Sequence, residues 1–247
     1  MQNDKLLDIL YEEGPVLAVN KPSGLLTQSP PGIDNLEARV RQYLIEHEGR
    51  GETGYVGVPH RLDRPASGVI LFGKHSRATK RISEQFEARQ VAKTYWAITD
   101  GEIESDEGTW IDFIRKVPNQ AHAEVVLPID PLAREAILHY KVLRRGFGRT
   151  FLEIQLETGR MHQIRIQASS RGFPLLGDSQ YGGKTPFGPQ FEDYRLCAIA
   201  LHARSIVFNH PMTREIVSLM APVSDVWKAE PIFTVCLASA ELGPLVE

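Results

Sequence analysis

The sequence predicts an α+β fold built on one continuous mixed sheet. Three observations lead there. Short β-branched or alternating runs recur along the chain, amphipathic stretches interrupt them singly, and no regular alternation of strand and helix appears.

The first strand is PVLAVNK (15–21), a short apolar run bounded by Pro and Gly. A helix follows in NLEARVRQYLIEHE, where Leu36, Val40 and Leu44 share one face with Ile45 beside them and Asn35 is placed to cap it. VILFGK (69–74) reads as a buried strand. It runs into SRATKRISEQFEARQ, where Ala78, Ile82 and Phe86 recur every four residues, Ser76 stands as cap, and Arg77, Lys80 and Arg81 project from the other faces. AKTYWAITD alternates like a strand, and further strands are predicted over 109–113, 123–127, 137–143 and 151–156. A short helix starts after Gly159 and ends near Gly172. GGKTPFGPQFED is a Gly/Pro-rich loop. CAIALHARSIVF and EIVSLMAP supply the last strands, and SDVWKA a short helix capped by Ser224. The tail after Phe233 is small and apolar, with weak order signals. No repeat or interdomain linker stands out, so residues 1–247 read as a single domain with its core over about 10–227 and a tail at 234–247.

Composition narrows the class. With 42% hydrophobic and 24% charged residues the chain is that of a soluble globular protein. No apolar run approaches the roughly 20 residues that cross a bilayer, and the N-terminus lacks a signal-peptide pattern. Cys197 and Cys236 are too few and too far apart for a disulfide framework or a zinc site, which points to a reducing, cytoplasmic setting with no membrane contact. A net charge of −3 argues against a basic, sequence-blind nucleic-acid binder. The charge is uneven, however: 74–81 and 141–149 are locally basic and 101–108 is acidic, so an RNA partner stays open.

Polar density concentrates in three stretches. In HRLDRPASGVILFGK, Asp63 sits between Arg61 and Arg64 at the mouth of a buried strand. In KTYWA, Tyr95 lies among apolar neighbours. In LETGRMHQIRIQ, Gly159 permits a sharp exit from a strand, and the following helix carries His162 and Arg165 three residues apart. An arginine approaching Asp63 would orient its carboxylate for work as a nucleophile or general base, and Tyr95 offers a ring for stacking plus a hydroxyl. Each residue also has an ordinary reading. Asp63 fits a turn acid in a surface ion network, Tyr95 a core residue, and Arg165 a snorkelling side chain. His60 and His162 lack a third ligand at metal spacing.

These stretches, in this order, resemble the successive motifs of RluA-type pseudouridine synthases. LAVNKPSGLLTQ (17–28) is similar to the family's N-terminal motif and LHARSIVFNHPMTREIVSLMAPV (201–223) to its C-terminal one, so the likeness runs from about Leu10 to Trp227. The resemblance implies the pseudouridine synthase catalytic fold, a mixed, mainly antiparallel sheet with flanking helices and a central cleft. It further implies isomerisation of uridine in ribosomal or transfer RNA without metal or organic cofactor, by a chain that leans to the monomer. By motif position, Asp63 matches the catalytic aspartate, Tyr95 the active-site tyrosine and Arg165 the arginine that pairs with that aspartate. Arg61 matches the residue that fills the gap left by a flipped nucleotide, and Leu201 an apolar residue lining the uracil pocket. His60, Arg64 and His162 join the substrate-binding candidates, with Lys80 and Arg81 directed at phosphates. Three departures stand out: Ala66 where the family often has Thr, Gln167 where it usually has His, and no room for an S4-like RNA-binding domain before the first motif. An RNA-folding factor without chemistry and an unrelated aspartate-dependent hydrolase are the competing classes.

Overall fold

The computed structural model describes residues 7–49 and 54–238. In chain order the elements are β1 (Ile9–Glu13), β2 (Val16–Lys21), α1 (Leu36–Glu48), β3 (Ser67–Gly73), α2 (Ser76–Glu87) and β4 (Ala92–Asp100). There follow β5 (Glu107–Lys116), β6 (Ala123–Val126), β7 (Arg134–Gly146), β8 (Arg149–Leu156) and α3 (Gln163–Ser170). The chain then runs through β9 (Leu201–Asn209), β10 (Ile216–Met220), α4 (Asp225–Lys228) and α5 (Pro231–Ala238). The strands make the mixed, mainly antiparallel sheet with few flanking helices that the sequence predicts.

Two units are distinguishable. The first comprises the chain up to Lys93 together with Ala203–Pro222. Its strands lie in the order β1-β2-β3-β9, with β10 paired to β9. Val16, Leu17, Ala18 and Val19 of β2 are wholly buried, and all seven residues of β3 are buried. A strand covered on both faces has no reason to alternate, which is why VILF is continuous. Gly68 (φ +116) is required here, because a Cβ on it would stand 2.3 Å from the Ala203 carbonyl oxygen of β9. On α1, Asn35 Oδ1 accepts the Ala38 N–H as expected, and Leu36, Val40 and Leu44 are buried.

The predicted cap of α2 is corrected. His75, not Ser76, is the cap: its backbone is extended and its Nδ1 accepts the Ala78 N–H at 3.1 Å. Nδ1 of histidine lies as many bonds from Cα as Oδ1 of asparagine, so the ring reaches the same donor. Strand β1 escaped the sequence reading because it covers one flank of β2 with residues that are only partly buried or exposed, leaving no apolar pattern to detect.

The second unit runs from Thr94 to His202 and resumes at Val223. Its strand order is β4-β8-β7-β5-β6. The strands β5, β7 and β8 extend further than predicted, while β9 begins at Leu201 rather than Cys197. The residues before it are diverted: the Ala200 N–H donates to Leu176 and the Ala200 carbonyl accepts from Ile98. Trp227 centres the core, with Phe187 at 5.3 Å and Phe233 at 6.0 Å between ring centroids and Phe151 also in contact. Ser224 precedes α4 as expected, yet its side chain makes no cap bond; its carbonyl accepts the Trp227 N–H instead. The segment after Phe233 is not weakly ordered throughout, since α5 reaches Ala238 and buries Ile232, Phe233 and Cys236 against Trp227. The remainder of the predicted tail lies outside the described residues.

The two charged runs of this unit answer each other. Arg145 Nε and Nη2 donate to the Ile103 and Glu104 carbonyls and Nη1 pairs with Asp106 at 2.7 Å, so the acidic segment consumes a cation of the basic one. Arg149 pairs with Glu230. These two arginines are therefore held by the fold rather than offered to phosphates.

Trp227→Ala removes the shared ring of this core and is expected to lower stability by about 3–5 kcal/mol, read as a fall in the urea midpoint.

Candidate active site

In the first unit, the loop between α1 and β3 carries Asp63 and is tied down on both sides. On its C-terminal side, the Arg64 carbonyl accepts the Gly24 N–H at 2.8 Å and Lys21 Nζ at 3.1 Å. Arg64 Nε returns a bond to the Gly24 carbonyl at 2.9 Å. Arg64, a candidate RNA contact, thus spends that N–H on the segment between β2 and α1. The Ala66 N–H closes a turn onto the Asp63 carbonyl at 3.2 Å, a backbone bond that needs no hydroxyl at position 66. Thr27 holds Leu62 on the N-terminal side. Arg61 is exposed and Asp63 half-buried.

Lys21 is the residue here that sequence reasoning missed. It is fully buried at the end of β2, and its ammonium donates to the carbonyls of Pro22, Leu25 and Arg64 at 2.9, 2.8 and 3.1 Å. Burial lowers its pKa to about 7; the Asp63 charge opposes that shift and the Arg64 charge adds to it. Ammonium and amine forms are therefore close in free energy at neutral pH. A lysine closing a strand that opens with four buried apolar residues, just before Pro22 and Gly24, was the available signal.

His60 has a structural assignment. Its Nε2 accepts the Leu71 N–H of β3 at 3.0 Å and its ring stacks on Phe86 with centroids 4.4 Å apart. An acceptor nitrogen facing a backbone N–H cannot carry a proton. Enclosure of the ring, and secondarily the Lys93 charge, push its pKa down to about 3. On α2, Lys80 is 78% exposed with Glu84 3.9 Å away. Arg81 donates through Nη1 to the Pro211 carbonyl at 2.7 Å, which ties α2 to the turn after β9.

In the second unit, Tyr95 lies on β4 opposite Ile154 of β8. Alternation sends it to the face opposite Trp96, which belongs to the aromatic core, and Tyr95 is half-buried. Arg165 on α3 is 3% exposed, so it does not snorkel. Its Nε and Nη2 donate to Asp178 Oδ2 and Oδ1 at 2.7 and 2.8 Å, Nη2 also reaches Gln180 Oε1, and the guanidinium lies 4.9 Å from the Tyr181 ring. Asp178, itself 1% exposed, went unnoticed because it stands thirteen residues from Arg165 with no helical spacing to link them. His162 takes a left-handed conformation (φ 52°) at the start of α3 and places Nδ1 2.8 Å from the Tyr181 hydroxyl, which accepts the Ala123 N–H. Tyr181 thus gathers two of the predicted residues, His162 and Arg165, around one ring.

Gln167 is no candidate for substrate contact. It is fully buried, and its Nε2 faces Asp112 Oδ2 and the Trp110 and Ala136 carbonyls. Leu201 is 5% exposed. Among the described residues, no group of three or more His, Cys, Asp and Glu side chains is placed to hold a metal ion.

The sequence model of the RNA pseudouridylate synthase family matches residues 15–170, a span that includes Asp63, Tyr95 and Arg165. An uncharacterized RNA pseudouridine synthase of Bacillus subtilis, YhcT, is 35% identical over 222 residues, covering 87% of this chain and 68% of that protein. A ribosomal large subunit pseudouridine synthase D of Vibrio cholerae is 31% identical over 229 residues, covering 90% of this chain and 69% of its own. The chain belongs to the RNA pseudouridylate synthase family, whose members are isomerases. It spans about two thirds of the length of such relatives, 65% in the case of a Synechocystis protein. Among solved structures, human RNA pseudouridylate synthase domain containing 4 has the same fold, with a TM-score of 0.72 at 22% identity over 94% of this chain and 92% of that one.

The enclosed His60 yields a pH prediction. Its folded pKa lies below the ordinary histidine value, so between about 6.5 and 3 the unfolded chain binds the extra proton and stability falls as pH falls. His60→Gln keeps an acceptor for the Leu71 N–H but cannot titrate. Urea midpoints measured from pH 7 to 4 should decline less steeply in this variant, by up to about 1.4 kcal/mol per pH unit.

Proposed function

We propose that this chain converts uridine in structured RNA to pseudouridine, with Asp63 as nucleophile. The family match across the span holding Asp63, Tyr95 and Arg165 carries this reading. The reaction breaks the N1–C1′ bond, turns the uracil and joins C5 to C1′; the C5 proton is lost and N1 gains one. Atoms balance without an oxidant, water or external group. Asp63 bonds covalently to the substrate and is released when the C5–C1′ bond has formed. The clamped backbone on both sides of Asp63 suits a group that must hold its direction while bonds are exchanged.

A uridine inside a stack has to be turned out, at a cost of a few kcal/mol. Arg61, which is exposed, offsets part of that by stacking into the vacated space. Tyr95 stacks on the displaced uracil, Leu201 lines its apolar side, and His162 supplies a polar contact. Arg165 orients reacting groups; its own plane is fixed by Asp178 and Tyr181. Lys80 contacts a phosphate, a role its exposure supports better than it does for Arg81 or Arg64. The names of relatives such as the Vibrio cholerae protein support ribosomal RNA as the substrate to test first, with transfer RNA second. We place the enzyme in the cytoplasm as a monomer; no helix among the described residues is long and apolar enough to cross a membrane.

The deciding experiment incubates purified protein with RNA from a strain lacking it and maps pseudouridine. New pseudouridine at defined positions is expected with the wild-type chain and none with Asp63→Asn, whose RNA affinity should stay within about threefold. Product from the Asn variant at wild-type rate would remove Asp63 from the nucleophile role, and free base or phosphate as product would favour a hydrolase. Separately, Lys80→Ala should weaken RNA binding and flatten the plot of log affinity against log salt by about 0.7–0.9, the share of one phosphate contact.

A further inference from the structure

One hydroxyl meets both backbone groups of the residue before Asp63. Thr27 Oγ1 donates to the Leu62 carbonyl at 3.0 Å and accepts the Leu62 N–H at 3.3 Å. Thr27 is 3% exposed and Leu62 7%, so solvent is poorly placed to replace either bond. Thr27 is itself anchored. The carbonyls of Leu26 and Thr27 accept the N–H groups of Leu36 and Glu37 at 2.8 and 3.1 Å. These are first-turn donors of α1, which find no partner inside their own helix. The helix is fixed in turn by buried Leu36, Val40 and Leu44 and by the Asn35 cap. A continuous line of bonds therefore runs from α1 through Thr27 to Leu62, one peptide from the carboxylate.

We propose that Thr27 is a positioning residue for the reaction at Asp63, fixing the loop from the side opposite Lys21 and Gly24. The role rests on the reading of Asp63 as nucleophile. Lys21 and Gly24 restrain Arg64, after the carboxylate; Thr27 restrains Leu62, before it. Held at one side alone, the Asp63 Cα could swing about the remaining tether. Displacements of about 1 Å from a productive geometry cost on the order of a hundredfold in rate.

The test compares Thr27→Val, which keeps the shape and deletes the hydroxyl, with Thr27→Ser, which keeps the hydroxyl. Rates are taken at saturating RNA and normalised to folded protein. For the Val variant kcat should fall about tenfold or more with KM within about twofold of wild type, and the Ser variant should recover kcat to within about twofold. Hydrogen exchange at the Leu62 amide should accelerate in the Val variant and not in the Ser variant. A Val variant that melts earlier yet turns over at the wild-type rate per folded molecule overturns the proposal, leaving Thr27 a purely structural residue. A drop in kcat that serine does not repair overturns it too. A wild-type chain that forms no pseudouridine sinks the reading of the reaction and this role with it, whereas normal wild-type turnover with an unmoved Val variant sinks the role of Thr27 alone.

Discussion

Lys21 gives its three ammonium protons to the carbonyls of Pro22, Leu25 and Arg64, and this buried cage joins the end of β2 to the loop that presents Asp63. A loop cannot hold a carboxylate still by its own backbone preferences, and a surface ion pair would contribute at most about 1 kcal/mol toward doing so. Burying a cation under the loop solves the problem at an electrostatic cost, visible in a lysine whose pKa is brought down to about 7. The charge of Asp63 offsets part of that cost, which couples the lysine to the acid. The rest of the first unit can be understood as the rigid support this coupling needs. The largely buried β2 and wholly buried β3 fix one end of the loop, and α1 fixes the other.

The same economy governs the arginines. An arginine-rich sequence in a family of RNA pseudouridylate synthases invites the view that every guanidinium is meant for phosphate. Instead Arg145, Arg149 and Arg165 are held by carboxylates of the same unit, Arg64 by Gly24 and Arg81 by Pro211. Committed guanidinium groups are directional supports, because a planar fork bound at two points cannot rotate. Arg165 shows this best: two bonds to Asp178 and a ring beneath it define its plane. Exposed cations such as Arg61 and Lys80 remain available to a mobile polyanion, even on a chain of net charge −3.

Much of this architecture was legible from residue order. The cap at Asn35, the period of Leu36, Val40 and Leu44, and the continuous run of β3 each have a local physical cause, so a local reading finds them. Asp63, Tyr95 and Arg165 stood out as polar groups in apolar settings, and the order of their motifs led to the family. Illegible features were those decided at a distance. Asp178 is paired to Arg165 by the fold of the chain between them, not by spacing. Lys21 looked like a strand-end lysine until its three carbonyls were in view. Gln167, a departure from the family pattern, is enclosed by Asp112 and the Trp110 and Ala136 carbonyls, which no spacing announces. β1 carries no pattern because it buries little, and α5 seemed a loose tail because its value lies in filling the hollow around Trp227.

The placement of β9 and β10 has a consequence for how the protein is made. The first unit takes its sheet partner for β3 from residues that follow Lys93 by more than a hundred positions. As the chain leaves the ribosome, β3 therefore waits for more than a hundred residues with one edge unpaired and its apolar VILF run uncovered, the kind of surface that recruits foreign strands. Gly68 sharpens the point, since the close approach it permits is filled only when Ala203 arrives. Nascent chains stalled before β9 should therefore be the aggregation-prone population, and chaperone demand should end with the synthesis of the C-terminal motif.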